Sequence, residues 1–522
     1  KERWLESDNT WRIPFARRDF LLLGILSFAA FLTQYFYLRP MPVFGRLPWY
    51  VPMAVWGFSL FILYRCLFQK SPREGRDHSL FQFGPVMVAV PFSTGSVTFD
   101  DIDEDRSSSQ ESPQNTALVE SWGNTIFILI LIIAAAMYFI GATSIPTDVH
   151  GDEAEVALYG MQVRDTGNWN FFNVGWYKIP HFFFLIPAWV MWFLGDNVFG
   201  VRIAGGLIGI ACIPVFYLLS RRLLRSSAAT IATFLFATSS VFVHFSRIGI
   251  GYNQTTLFAL AVFYGFVRAI QDREARWLSF AGAIAAIGML SYQANQILAP
   301  LVVSSLGLLW ITRALAWRGL IKGLFAFFFA FWIGFAPMVG VFCTDSGAAF
   351  SRARSVTLFS PEGKELMKRG YSPDITYPQL IKIQVERSLL APITHHDNSP
   401  YLINRVYGGM LDPLPAILFL AGVFLLIGMF RHPVSRLLIY WMLCFMLIGS
   451  ALTDHAPSYQ RLVGLIPLLL LVAAPVLNGC LIQAGRVFRW TPKTRLHFTS
   501  AVLVIVLLFG MNRYFHQIMS KP

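Results

Sequence analysis

The stretch 148–165, DVHGDEAEVALYGMQVRD, brings Asp148, His150, Asp152, Glu153 and Glu155 within eight residues. A carboxylate in such a cluster can take a proton from an attacking hydroxyl or amine. Acids in the first turn of a helix also offset its dipole, so residue type and spacing leave both readings open. A turn at Gly151 opens the helix. Ala154, Val156, Ala157, Leu158, Met161 and Val163 give it an apolar face suited to lying on a membrane. Three cations stand in comparable settings. Lys178 lies in NWNFFNVGWYKIPH (168–181), Arg247 in FSRIGIGYNQ (245–254) and Arg461 in DHAPSYQRLVGLIPLL (454–469). A cation beside aromatic residues at headgroup level suits an anionic phosphate, although a lysine there can also be a snorkelling anchor. His150, Tyr177, His181, Asn253 and His455 are candidate substrate contacts around them. His150, His181, His395 and His396 could serve a divalent metal, but none has ligand spacing, and no cofactor is indicated. The acids Asp100, Asp101, Asp103, Glu104 and Asp105 read as a solvated charge run.

The elements that must position these residues are set by composition. The 522 residues are 55% hydrophobic, 16% aromatic and 14% charged. A soluble chain carries about 25% charged residues to solvate its surface, so most of this surface faces lipid. The net charge of +13 then belongs to cytoplasmic loops, and nucleic acid is not an expected partner. Cys66, Cys212, Cys343, Cys444 and Cys480 have no paired spacing and read as small apolar residues. The first apolar run follows a charged stretch and reads as a span, not as a cleaved leader.

A spanning helix needs about 20 apolar residues. Thirteen spans are predicted, near 19–38, 48–67, 123–142, 199–219, 228–245, 254–270, 277–293, 296–312, 322–343, 412–430, 434–450, 459–480 and 496–513. Basic clusters at 221–225, 268–276, 313–322, 431–436 and 486–495 all fall on the cytoplasmic side only if the apolar stretch 180–195 does not cross. That stretch is therefore expected to be a juxtamembrane or re-entrant helix on the outer face. The chain divides into a two-span extension (1–67), a polar cytoplasmic linker (68–122), a transmembrane core (123–480) with outer loops 144–198 and 344–411, and a C-terminal basic loop with the last span (481–522). In the second outer loop, 378–391 reads as an amphipathic helix. The fold class is all-α, a polytopic helical bundle with amphipathic helices on its outer face.

Around these residues the chain resembles the GT-C superfamily of polytopic glycosyltransferases. It is most similar to the branch of protein O-mannosyltransferases and lipid A aminoarabinose transferases. The carriers are the pair Asp152 and Glu153, the segment around Lys178 and Pro180, RIAGGLIGI from Arg202, the pair Ser246 and Arg247, and Arg461 before a proline-containing apolar helix. The resemblance runs over roughly 124–480. It implies transfer of a sugar from a polyprenyl-phosphate carrier to a protein, lipid or glycan acceptor on the non-cytoplasmic face, with inversion at the anomeric carbon. Asp152 would be the catalytic base, Glu153 its support, and Lys178 and Arg461 contacts of the carrier phosphate, with Arg247 a third cation nearby. Two positions depart from the family pattern: Lys178 to His181 replaces a proline- and leucine-containing stretch, and Asn253 stands where an Asp is common. The expected setting is a bacterial plasma membrane. A flippase for a lipid-linked sugar would share the outer cations, but it calls for ionisable residues at mid-membrane. A non-catalytic assembly factor would use the acids only as helix caps.

Overall fold

The computed structural model describes residues 17–39, 47–68, 113–345, 356–368, 375–395, 408–454 and 456–518, with isolated positions at 15, 347 and 397. His396, His455 and the acidic run at 100–105 lie outside the described residues. Over the described residues the chain is helical, with two isolated bridges, Val174 to Pro180 and Thr357 to Thr453, and no strand. Lipid imposes this, because a backbone without water must satisfy its own hydrogen bonds.

The helices are α1 (Arg17–Leu38), α2 (Tyr50–Phe68), α3 (Pro113–Phe139), α4 (Gly151–Asp165), α5 (Phe182–Leu194), α6 (Val198–Leu223), α7 (Ser226–Thr238), α8 (Ser240–Arg247), α9 (Asn253–Asp272) and α10 (Arg276–Leu290). They continue as α11 (Leu298–Ile311), α12 (Trp317–Thr344), α13 (Pro361–Lys368), α14 (Tyr377–Leu390), α15 (Pro413–Gly428), α16 (Pro433–Met446), α17 (Tyr459–Leu462), α18 (Ile466–Val487) and α19 (Pro492–Asn512). All thirteen predicted spans fall on helices. Eight are by themselves long and apolar enough to cross a membrane, nine if α7 and α8, bent by 52°, form one broken span. The remaining predicted spans, near 123–142, 254–270, 277–293 and 412–430, meet helices outside that set. Three of these have short apolar stretches, and α9 opens on four polar residues, Asn253 to Thr256. Helix α3 starts at Pro113, inside the stretch expected to be linker.

Ion pairs identify the two ends of the bundle. At one end Arg222 and Arg268 both hold Asp272, each at 2.8 Å, joining the last turns of α6 and α9. At the other end Arg202, in the second turn of α6, holds Glu153 of α4. The basic loops between α11 and α12, α15 and α16, and α18 and α19 lie at the Arg222 end. The start of α11 and the end of α12 are bonded to the 177–178 turn, the start of α15 and the end of α19 reach the Glu153 end through Phe515 on Arg247, and Arg461 of α17 lies within electrostatic reach of Tyr252 and Tyr292.

Helix α5 has both its flanks at the Glu153 end. The Phe182 N–H donates to the Phe171 carbonyl, and Asp196 accepts two bonds from Arg164 in the last turn of α4, at 2.6 and 2.9 Å. Its 13 residues reach about 20 Å, short of a hydrocarbon core of about 30 Å. The helix is thus too short to cross by itself, and both its flanks are bonded to the segment that carries α4.

Three glycines of α6 explain the RIAGGLIGI stretch. A methyl group at Gly205 would come within 2.3 Å of the Ile248 carbonyl oxygen, one at Gly206 within 2.2 Å of the Phe139 ring, and one at Gly209 within 2.4 Å of Ser246 Oγ. Their lack of a side chain lets α3, α8 and the 248–249 turn close directly onto α6. The core lies among α6 to α9 and α18, whose apolar side chains are almost wholly buried.

Candidate functional site

Helix α4 begins at His150, whose Nδ1 accepts the Asp152 N–H at 3.0 Å. The neutral imidazole so bonded carries its proton on Nε2. The buried stripe of α4 is Glu153, Val156, Gly160 and Val163, a helical spacing of three and four residues. Successive helical side chains point about 100° apart, so Asp152 and Glu153 leave the helix in different directions.

Glu153 is 1% exposed. Its Oε1 accepts from Arg202 Nε at 2.9 Å and from the Gly249 N–H at 2.7 Å, and its Oε2 from Arg202 Nη2 at 3.2 Å. Arg202 donates further to the carbonyls of Ala142, Pro146 and Asp148 at 2.9, 2.7 and 2.9 Å. One guanidinium thus binds the first outer loop, α4 and α6 together. In the sequence Arg202 stands out only as the start of the RIAGGLIGI stretch that carries the resemblance. The signal was an ionisable residue inside an apolar helix. Asp152 is half-buried, and its carboxylate makes no hydrogen bond or ion pair with the described residues.

Lys178 sits in a turn of three residues, Trp176–Lys178, closed by the Val174–Pro180 bridge. Tyr177 and Lys178 both take left-handed backbone conformations, φ 49° and 59°. Each costs roughly 1–2 kcal/mol for a residue with a Cβ, so the surroundings must hold the turn. Lys178 Nζ meets Asp345 Oδ2, at the end of α12, at 2.6 Å. Half of Tyr177 is exposed, and its carbonyl accepts from Gln293. His181 follows, with its buried Nδ1 unpartnered. Burial pushes its imidazole down to about 4, so it stands neutral. Arg461 Nη1 pairs with Asp454 Oδ1 at 2.5 Å, with both side chains about a tenth exposed. The phenols of Tyr252 and Tyr292, whose rings are 5.0 Å apart, lie within electrostatic reach of Arg461.

Arg247 corrects the prediction of a third phosphate contact. It is fully buried. Its three nitrogens donate to the carbonyls of Met137, Ile140 and Ile145, capping the end of α3, and Phe515 covers the guanidinium at 5.3 Å. Residue type and spacing could not show that this side chain turns inward. Asn253 is buried too: its Nδ2 donates to Ser246 Oγ at 2.8 Å, and its Oδ1 has no partner. Among the described residues no three His, Cys, Asp or Glu side chains converge as metal ligands would.

A run of contacts joins the acidic and basic parts. Glu153 bonds the 249 turn, Gln254 at the start of α9 donates to the Phe183 carbonyl, Phe183 packs on Tyr292, and Gln293 reaches the Lys178 turn. Asp152, Lys178 and Arg461 therefore belong to one end of one bundle. Such an end offers a carboxylate without a partner among the described residues, two partly exposed cations and an apolar surround.

Residues 178–337 match the family model described as dolichyl-phosphate-mannose-protein mannosyltransferase. No curated protein matches the chain in sequence. Among solved structures, ArnT from Cupriavidus metallidurans in the apo state is similar with a TM-score of 0.52 and 14% identity, covering 74% of this chain and 74% of that one. The archaeal oligosaccharyltransferase AglB from Archaeoglobus fulgidus, in complex with an inhibitory peptide and a dolichol-phosphate, gives 0.49 and 13% identity over 77% of this chain. This chain spans 56% of the length of that oligosaccharyltransferase. The fold is the GT-C fold that the sequence resembles.

Proposed function

We propose that this chain is an integral membrane glycosyltransferase that takes a sugar from a polyprenyl-phosphate carrier and passes it to a protein, lipid or glycan acceptor. The matching family description and the GT-C fold support the class. The observation that carries the mechanism is the division of labour at 152–153. Arg202 neutralises Glu153 and fixes it as a brace, while Asp152, on the same helical turn, keeps a carboxylate with no partner among the described residues.

In this reading Asp152 takes the proton from the acceptor hydroxyl or amine as it attacks the anomeric carbon. The bond to the carrier phosphate oxygen breaks on the opposite face, so configuration inverts. A general base of this kind contributes roughly 10²–10⁴-fold. The leaving phosphate departs as an anion, and Lys178 and Arg461 stabilise its charge. Both cations rest on carboxylates, Asp345 and Asp454, which occupy them until a phosphate exchanges in. Glu153 is a positioning residue, and Arg247 belongs to the scaffold. The site faces the non-cytoplasmic side, because the basic loops collect at the Arg222 end and the positive-inside rule puts that end in the cytoplasm. The membrane is the bacterial plasma membrane in this reading.

The test is sugar transfer from a panel of radiolabelled polyprenyl-phosphate sugars by the full chain, wild type beside Asp152→Asn, with carrier binding measured in parallel. The expected result is transfer by the wild type alone and carrier binding by both. Equal transfer by both removes Asp152 from the mechanism. Binding without transfer by either, across every donor, turns the reading towards a flippase.

A further inference from the structure

In the two-span N-terminal extension, the last turns of α1 reach the site end. Helix α1 lies along α12, and Gly340 of α12 faces Gln34: a methyl group at Gly340 would stand 3.1 Å from the Tyr35 nitrogen and 3.5 Å from Gln34 Cβ. Helix α2 is fastened to the same partner, since Trp56 Nε1 donates to the Gly334 carbonyl at 2.9 Å. From this seat α1 grips the loop 168–173 of the first outer segment. Gln34 Oε1 accepts from Asn170 Nδ2 at 3.0 Å, both residues being fully buried. Tyr37 Oη accepts from Asn168 Nδ2 at 2.9 Å and from Asn173 Nδ2 at 3.2 Å, closing the loop at both ends. Met53 Sδ of α2 accepts the Phe171 N–H.

The gripped loop leads directly into the strained turn. The Asn173 carbonyl accepts the His181 N–H at 2.7 Å, and Val174 bridges Pro180. Between them stand the two left-handed residues, Tyr177 and Lys178. On its far side Lys178 pairs with Asp345, the residue that ends α12. The turn is therefore held from two directions by one rigid unit: α1 through the asparagine loop, and α12 through Asp345.

We infer that the N-terminal helix pair is a positioning bracket for the Lys178 turn, with Gln34 and Tyr37 as positioning residues for the polyprenyl-phosphate donor. The bracket itself rests on these contacts, and its effect on the donor rests on the proposed role of Lys178. Two left-handed residues in succession relax once their surroundings loosen, and the lysine then loses its fixed approach to a phosphate. Donor binding suffers first, while Asp152, on a helix that α1 does not touch through these bonds, keeps its chemistry.

The experiment uses the full chain in nanodiscs, as wild type, Tyr37→Phe, and Gln34→Ala with Tyr37→Phe. Hydrogen exchange of residues 168–182, the affinity for undecaprenyl phosphate, and the KM and kcat for the donor are measured. Tyr37→Phe removes one oxygen and keeps the span apolar, so it separates loosening from failure to fold. Loss of its two bonds is expected to speed exchange across 168–182 and to raise the donor KM about tenfold, with kcat within about twofold. Unchanged exchange in both variants overturns the bracket. Faster exchange with unchanged carrier affinity and KM overturns the positioning role. A wild type that does not bind undecaprenyl phosphate at all overturns the proposed function instead, and the exchange data still decide the bracket.

Discussion

Adjacent side chains on a helix diverge by about 100°, and at 152–153 that rotation separates a carboxylate with no partner among the described residues from a buried, paired one. Removing one partner of a buried ion pair leaves an uncompensated charge and costs about 3–5 kcal/mol. Glu153→Gln is therefore expected to lower the thermal stability of the purified protein markedly, while Asp152→Asn leaves the melting curve close to wild type. Equal melting curves for the two variants would remove the brace. His181 gives a second expectation. Its folded value of about 4 lies below an unfolded value of about 6.5, so the native state binds fewer protons between those limits. Its contribution to stability is complete above about pH 6.5 and is lost as pH falls towards 4. Melting followed from pH 7.5 to 5 should drop more steeply for wild type than for His181→Gln. Residue type and position alone singled out Asp152, Glu153, Lys178 and Arg461 as candidates. They could not show that Arg247 turns inward to cap α3, because its acceptors stand 102 to 110 residues away. Nor could they pair Arg202 with Glu153 across 49 residues.

Among the elements, α6 decides how closely the site can assemble. The Gly205 contact is with a backbone carbonyl, which cannot swing aside as a flexible side chain can. Gly205→Ala should part α6 from the 248–249 turn, break the bond from Gly249 to Glu153, and cost about 1–3 kcal/mol as overpacking. Gly57→Ala, with nothing within 4 Å, is the control. Transfer activity and melting temperature check both, and a Gly205→Ala protein as stable and active as the control would refute the packing argument. The helices themselves were legible from runs of apolar residues. The break between α7 and α8 was not. It is held from outside, by Asp412 accepting the Ser240 N–H at 3.2 Å and its hydroxyl at 2.6 Å, and no local sequence signal announces a partner 172 residues on.

At the scale of the whole molecule, the last turns of α1 and the residues after α19 are both bonded at the site end. Arg513, near the end of the last span, donates to Asp412 at 2.8 Å and to the carbonyls of Leu411 and Gly409 at 2.9 and 2.6 Å, with both charged side chains almost wholly buried. Arg513→Met should strand Asp412 and destabilise the protein by about 3–5 kcal/mol, whereas Arg513→Met with Asp412→Asn should recover much of the loss. Thermal unfolding of the single and double variants measures the difference, and additive losses would dissolve the pair. Seen in the order of synthesis, these buried cations share a property. Arg202, Arg247 and Arg513 each find their acceptors earlier in the chain, at 142–153, 137–145 and 409–412. An arginine entering lipid unpartnered costs roughly 2.5–3.5 kcal/mol even by insertion scales. Here the acceptors of every one of the three have already left the ribosome when the arginine emerges, so each can be neutralised on arrival without waiting for a later span.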